Sequence, residues 1–239
     1  PVLRCMVLAL IAGLLASITS WVAGELVYGR FIPPLIATGG FPTIDETTAA
    51  ERARRNGVTT EAAVTVAIQG AALGLALGLA GGIIAGKGRS ALGSGLAGML
   101  VAGFVPGAVS VGLTPIFLEY YNPDKDMLLM ALTIHGCVAM SEGAAAGLAL
   151  WLGLKRARSR NQAGLLVSAI KGGLLGAGLA MLIFQIAGMV VFPLSQTTLP
   201  ISISKISRLT SHSLVALLAA IGSARAAVEF QKIRHNPEG

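Results

Sequence analysis

The sequence predicts an all-α integral membrane protein, a bundle of six transmembrane helices. Two observations carry this. Hydrophobic residues make up 54% of the 239 positions and charged residues only 12%, with a mean hydropathy of +0.75. The apolar residues also fall in repeated runs near the ~20 residues that a spanning helix needs. A β-barrel would instead alternate in polarity over ~10-residue segments, and no such alternation is present.

The first span is expected at about 5–23, ending in an interfacial girdle of Trp21, Glu25 and Tyr28. Cys5–Ala23 is longer than a signal-peptide core and lacks a small-x-small cleavage site before Glu25, so it reads as a retained helix. A polar connection, 24–61, follows, with Pro33-Pro34, Gly39-Gly40 and the charged stretch Asp45–Asn56. Thr43 and Glu46 have capping-box spacing there, which predicts a short surface helix. The second span, 62–85, and the third, 91–118, are joined by the basic turn Gly86–Ser90. Pro106 and Pro115 predict a kink or break in the third. The fourth span is 127–154, the fifth 163–192 and the sixth 211–228.

The net charge of +7 points to cytoplasmic loops rather than to nucleic acid, because basic residues of membrane proteins collect there. Two basic residues sit in the second-to-third turn, and Lys155, Arg156, Arg158 and Arg160 in the fourth-to-fifth. The third-to-fourth turn has Lys125 alone among Glu119, Asp124 and Asp126. This predicts a multi-pass protein of the cell inner membrane with both termini cytoplasmic. Lys205 and Arg208 fall outside under this scheme and count against it. Cys5 and Cys137 form no disulfide or metal spacing and read as buried small hydrophobes.

Glycine-rich packing is expected. Gly70, Gly74, Gly78 and Gly82 stand four apart, a glycine-zipper spacing that puts them on one helix face. Gly103 and Gly176 offer similar approaches on the third and fifth spans. An internal repeat is also legible. Gln69–Leu77 and Glu142–Leu150 agree at seven of nine positions at an offset of 73, and shorter matches link 132–139 to 209–216 at an offset of 77. Each offset spans two helices, which describes a parallel repeat of helical hairpins, as in some transporters.

Polar residues at membrane depth are the candidate functional positions. His135 lies eight residues in from the start of its span, Gln69 seven in from its own, and Gln185 seven short of the end of the fifth. His212 is near the start of the sixth. Glu142 sits near mid-membrane, two helical turns past His135. Lys171 differs from it in depth by roughly 6 Å, which predicts a Glu142–Lys171 pair.

These residues support three functions. In a small-solute or proton-coupled transporter, Glu142 and His135 carry a proton while Gln69 and Gln185 line the path. In a structural or scaffolding subunit, the same groups only hydrogen-bond between helices. In a third and lesser reading, His135 and His212 bind a haem or a metal. No metal, cofactor or nucleic-acid partner is expected. The expected partners are the lipid bilayer and either a second copy or other subunits of a membrane complex. The chain carries no Gly-x-Ser-x-Gly, His-Glu-x-x-His or phosphate-loop signature, so no enzymatic activity is expected.

Overall fold

The described residues form six helices: α1 (Val2–Val27), α2 (Ile44–Ile84), α3 (Gly88–Tyr120), α4 (Leu128–Leu154), α5 (Gln162–Val191) and α6 (Lys205–His235). The computed structural model describes residues 2–33, 43–86, 88–122, 125, 127–155, 162–193 and 195–235. Pro34, Gly39-Gly40, Lys87, Asp124, Asp126 and the cluster Arg156, Arg158 and Arg160 lie outside the described residues. All six helices are long and apolar enough to cross a membrane.

Element boundaries differ from expectation at α2. The helix expected to start at Thr43 is not a separate short one; it starts at Ile44 and runs 41 residues without interruption into the second span. The reason is a complete capping box. The Glu46 amide donates to Thr43 Oγ1 at 3.3 Å, and the Thr43 amide to Glu46 Oε2 at 2.8 Å, satisfying amides that a helix start leaves open. Nothing between 44 and 61 breaks the helix. Gly57 stays helical where the Phe31 carbonyl crosses it closely. The far end stops at Gly86, whose φ of +72° suits glycine. The α3 helix also continues through both Pro106 and Pro115. At the end of α4, Trp151 Nε1–H donates to the Gln162 carbonyl at 3.1 Å, fastening α4 to the start of α5.

The packing order is cyclic. The helices α2, α4 and α6 contact one another at the centre, while α1 packs against α6 and α2, α3 against α2 and α4, and α5 against α4 and α6. The outer helices α1, α3 and α5 do not touch each other among the described residues. Exposed large apolar side chains follow this division. They run the length of α1 (Leu3 to Leu26), α3 (Leu92 to Ile116) and α5 (Val167 to Val191). On the central helices they are confined to the end residues Ile44, Ile83, Leu129 and Ile206. A soluble bundle would bury these stripes. Cys5 is buried as expected, but Cys137 is exposed on α4; its neighbours Val138 and Ala139 take the inward positions.

Central packing relies on small residues. A Cβ on Gly70 or Gly74 would strike the carbonyl oxygens of Ala102 and Gly98 on α3. One on Gly78 would lie 2.5 Å from Ser94 O, and one on Gly82 2.5 Å from Ala91 Cβ. Gly103 faces Ala71 of α2, Gly176 the Leu218 carbonyl of α6, and Gly143 the Gly173 carbonyl of α5. Below the polar site described next, Leu73, Leu77 and Leu150 are completely buried among alanines.

Gly78→Leu should therefore lower the thermal midpoint in detergent by the equivalent of about 1–3 kcal/mol. Ala76→Leu, on a half-buried face, should cost clearly less. Equal midpoints and equal yields for the two variants would contradict this packing.

Candidate functional site

The three central helices open onto one cavity of about 90 Å³, room for a few water molecules or a group of similar size. Four residues of each helix line it, at the i, i+3, i+4, i+7 spacing of a single helix face. They are Ala62, Thr65, Val66 and Gln69 on α2; His135, Val138, Ala139 and Glu142 on α4; and Arg208, Ser211, His212 and Val215 on α6. Position by position, the α4 set follows the α2 set by 73 residues, and the α6 set follows the α4 set by 73. The cavity thus pairs α6 with α4 one helical turn away from the offset of 77 read from sequence. Ser110 and Thr114 of α3 and Met181, Phe184 and Gln185 of α5 complete the wall.

Gln185 organises one side. Its Nε2 donates to the Thr197 carbonyl at 3.1 Å and faces His135 Nδ1 at 3.2 Å. The carbonyl can only accept, so the amide NH2 is turned toward it, and its second proton meets Nδ1. Nδ1 then accepts, and the proton of the neutral imidazole sits on Nε2. The ring itself packs against Phe117, with centroids 5.2 Å apart. On the other side, His212 Nδ1 lies 3.0 Å from Ser20 Oγ of α1, and the His212 carbonyl accepts from Gln69 Nε2 at 3.4 Å.

Three polar atoms are left over. His135 Nε2, Gln185 Oε1 and Glu142 Oε1 are buried without a hydrogen-bond partner among the described residues, and their side chains line the same cavity. Glu142 is 2% exposed. A carboxylate held in so apolar a setting must carry a proton, meet a cation or be hydrated.

The α5–α6 connection roofs the cavity through Thr197, Leu199, Pro200, Ile201 and Ser202. Arg208 holds that roof. Its Nη1–H groups donate to the carbonyls of Ser202 at 2.7 Å and Ile203 at 2.8 Å. Its Nε and Nη2 grip the two Glu25 oxygens at 2.6 and 2.9 Å, and its guanidinium lies 3.7 Å from the centre of the Tyr28 ring. Ser202 Oγ bridges to Ser195 O and Ser207 Oγ.

Five of the six polar positions singled out from sequence thus meet in one place: Gln69, His135, Glu142, Gln185 and His212. Lys171 does not. It is exposed on α5 and makes no ion pair with Glu142. Depth was a fair guide, since Gly173 of α5 lies directly against Gly143 of α4. Two residues earlier, however, the side chain points about 200° around the helix from that contact. Sequence reasoning also missed Arg208, Ser110, Thr114 and Ser211. Arg208 stands one turn before His212 and 73 residues after His135, a signal that only the second repeat offset would have exposed.

The cavity is too small for a porphyrin, and no group of three His, Cys, Asp or Glu side chains is disposed to hold a metal ion among the described residues. Compared with known proteins, the chain matches no family model, no curated protein and no solved structure.

Arg208→Leu strands Glu25 at a site only 18% exposed and should lower the thermal midpoint by the equivalent of about 3 kcal/mol. Arg225→Leu, whose Glu229 pair is exposed, should leave it nearly unchanged. Comparable losses would contradict the bracing role of Arg208.

Proposed function

We propose that this chain is a multi-pass membrane transporter that moves a small solute or protons through the cavity bounded by α2, α4 and α6. One observation carries the reading: a buried carboxyl group, Glu142, whose Oε1 has no partner and which lines a polar cavity rather than a filled core. Glu142 acts as the proton carrier, with His135 two turns away on the same helix face, while Gln69, Gln185 and His212 line the path. Their supply of both donors and acceptors suits a hydrated passage. A scaffolding subunit, the competing reading, needs no such space.

In this reading the three sets of lining residues belong to a parallel repeat carried by α2, α4 and α6. Glycines let the surrounding backbones close around it. The protein sits in the cell inner membrane with both termini and the two basic turns cytoplasmic. Lys205 and Arg208 at the α5–α6 end count against that orientation, and the pairing of Arg208 with Glu25 does not exempt it, because the positive-inside rule counts basic residues rather than net charge.

The test is proton flux into liposomes containing the purified protein, driven by an imposed pH gradient. The wild type should acidify the lumen faster than empty liposomes, and Glu142→Gln should abolish the difference while keeping the wild-type elution profile. Flux unchanged in Glu142→Gln, or no flux in the wild type with or without candidate solutes, would sink the reading.

A further inference from the structure

A second buried carboxylate lies on the other side of the roof. Glu61 of α2 is 1% exposed, and its carboxylate has no side-chain hydrogen-bond partner among the described residues, the Gly29 amide being the donor nearest it. It lines a separate pocket of about 390 Å³ that also contains Tyr28, Val58, Leu118, Tyr121 and Ile203. Leu199, Pro200 and Ile201 line this pocket and the Glu142 cavity alike, so the roof is a partition one segment thick. The pocket is an outer vestibule to the cavity.

The charges around Glu61 are already committed. Arg208, the basic residue whose charge reaches it, is held bidentately by Glu25. Arg55 at the rim is taken by Glu51 at 3.0 Å and Glu119 at 2.9 Å. Arg54 stands exposed at the rim, where solvent screens it. The Gly29 amide offers Glu61 a dipole but no charge. Residues 29–42, which lead from Tyr28 to the α2 cap, include one basic residue, Arg30, whose side chain is exposed. Glu61 is therefore the one carboxyl group lining this pocket that makes no ion pair among the described residues.

We propose that the vestibule is a recognition site for a small organic ammonium, whose cationic group pairs with Glu61 while its apolar body rests on the surrounding side chains. A single buried carboxylate suits one positive charge. A divalent ion would demand several oxygen ligands, and no cluster of three acidic, His or Cys side chains exists among the described residues. A bare monovalent metal ion would match the charge but leave the aliphatic and aromatic wall unused, whereas an alkyl or aryl amine fills both halves of the pocket. The inference supplies a solute class for the transport reading and rests on it for its role. An ammonium captured at Glu61 needs only the Leu199–Ile201 partition to shift in order to reach Glu142.

The test is binding of butylammonium chloride to the purified protein by titration calorimetry, with 1-butanol and sodium chloride as controls, alongside uptake of radiolabelled butylammonium into liposomes. Butylammonium should bind saturably and the two controls should not. Glu61→Gln should weaken binding at least about tenfold, and Glu61→Asp should retain part of it, with elution profiles unchanged. Glu142→Gln should still bind at the vestibule yet lose uptake. Absence of saturable butylammonium binding, equal affinity in Glu61→Gln, or sodium binding that depends on Glu61 would overturn the organic-ammonium site. Binding at Glu61 without uptake by the wild type would leave the site standing and remove the transport reading. Uptake without Glu61-dependent binding would do the reverse.

Discussion

The bidentate pair between Arg208 and Glu25 fastens three parts of the chain at once. It joins α6 to the end of α1, and through the Ser202 and Ile203 carbonyls it fixes the segment that roofs the cavity. The polar side chains that line the cavity gather beside that point. The guanidinium supplies donors in a fixed fork, which a lysine could not reproduce, and it caps the wall formed by the α2, α4 and α6 faces. Without it, the roof would be held by the bond from Gln185 to the Thr197 carbonyl, the hydroxyl of Ser202 and the 3.1 Å bond between the Ile203 amide and the Ser195 carbonyl.

Away from that end the bundle is built on a different principle. Where side chains are Gly and Ala, backbones meet directly, and dispersion between close surfaces holds them in the absence of a hydrophobic drive between helices. The consequence for function is a contrast along the axis. A polar, partly hollow half at the 62–69, 135–142 and 208–215 level passes into a solid half around Leu73, Leu77 and Leu150. Motion of any passing group would have to separate surfaces that are now in contact, whereas at the roof only one segment stands in the way.

Much of this was legible in the sequence. Long apolar runs mark helices almost regardless of context, and a polar residue inside such a run must find company, which is why Gln69, His135, Glu142, Gln185 and His212 were found before their meeting place. Azimuth was not legible. Lys171 shares the depth of Glu142 but points away, because helix rotation depends on which glycines dock, and Gly173 rather than Lys171 faces α4. Cys137 was misjudged for the same reason. The Thr43–Glu46 cap was legible, but the charged run from Asp45 to Asn56 concealed that its helix continues unbroken into the second span. The bracing role of Arg208 was not legible because its partner, Glu25, lies 183 residues away.

The central claim is that the matched faces of α2, α4 and α6 enclose a space that water and small solutes enter. Cysteine accessibility tests it most directly. In a background with Cys5 and Cys137 replaced by alanine, single cysteines at Val66, Ala139 and Val215 sample the three walls, and one at Leu73 samples the packed half. The account predicts that a small, charged thiosulfonate reagent added to protein in liposomes modifies the first three and spares the fourth. Uniform protection of all four positions would show a dry, filled interior and contradict it.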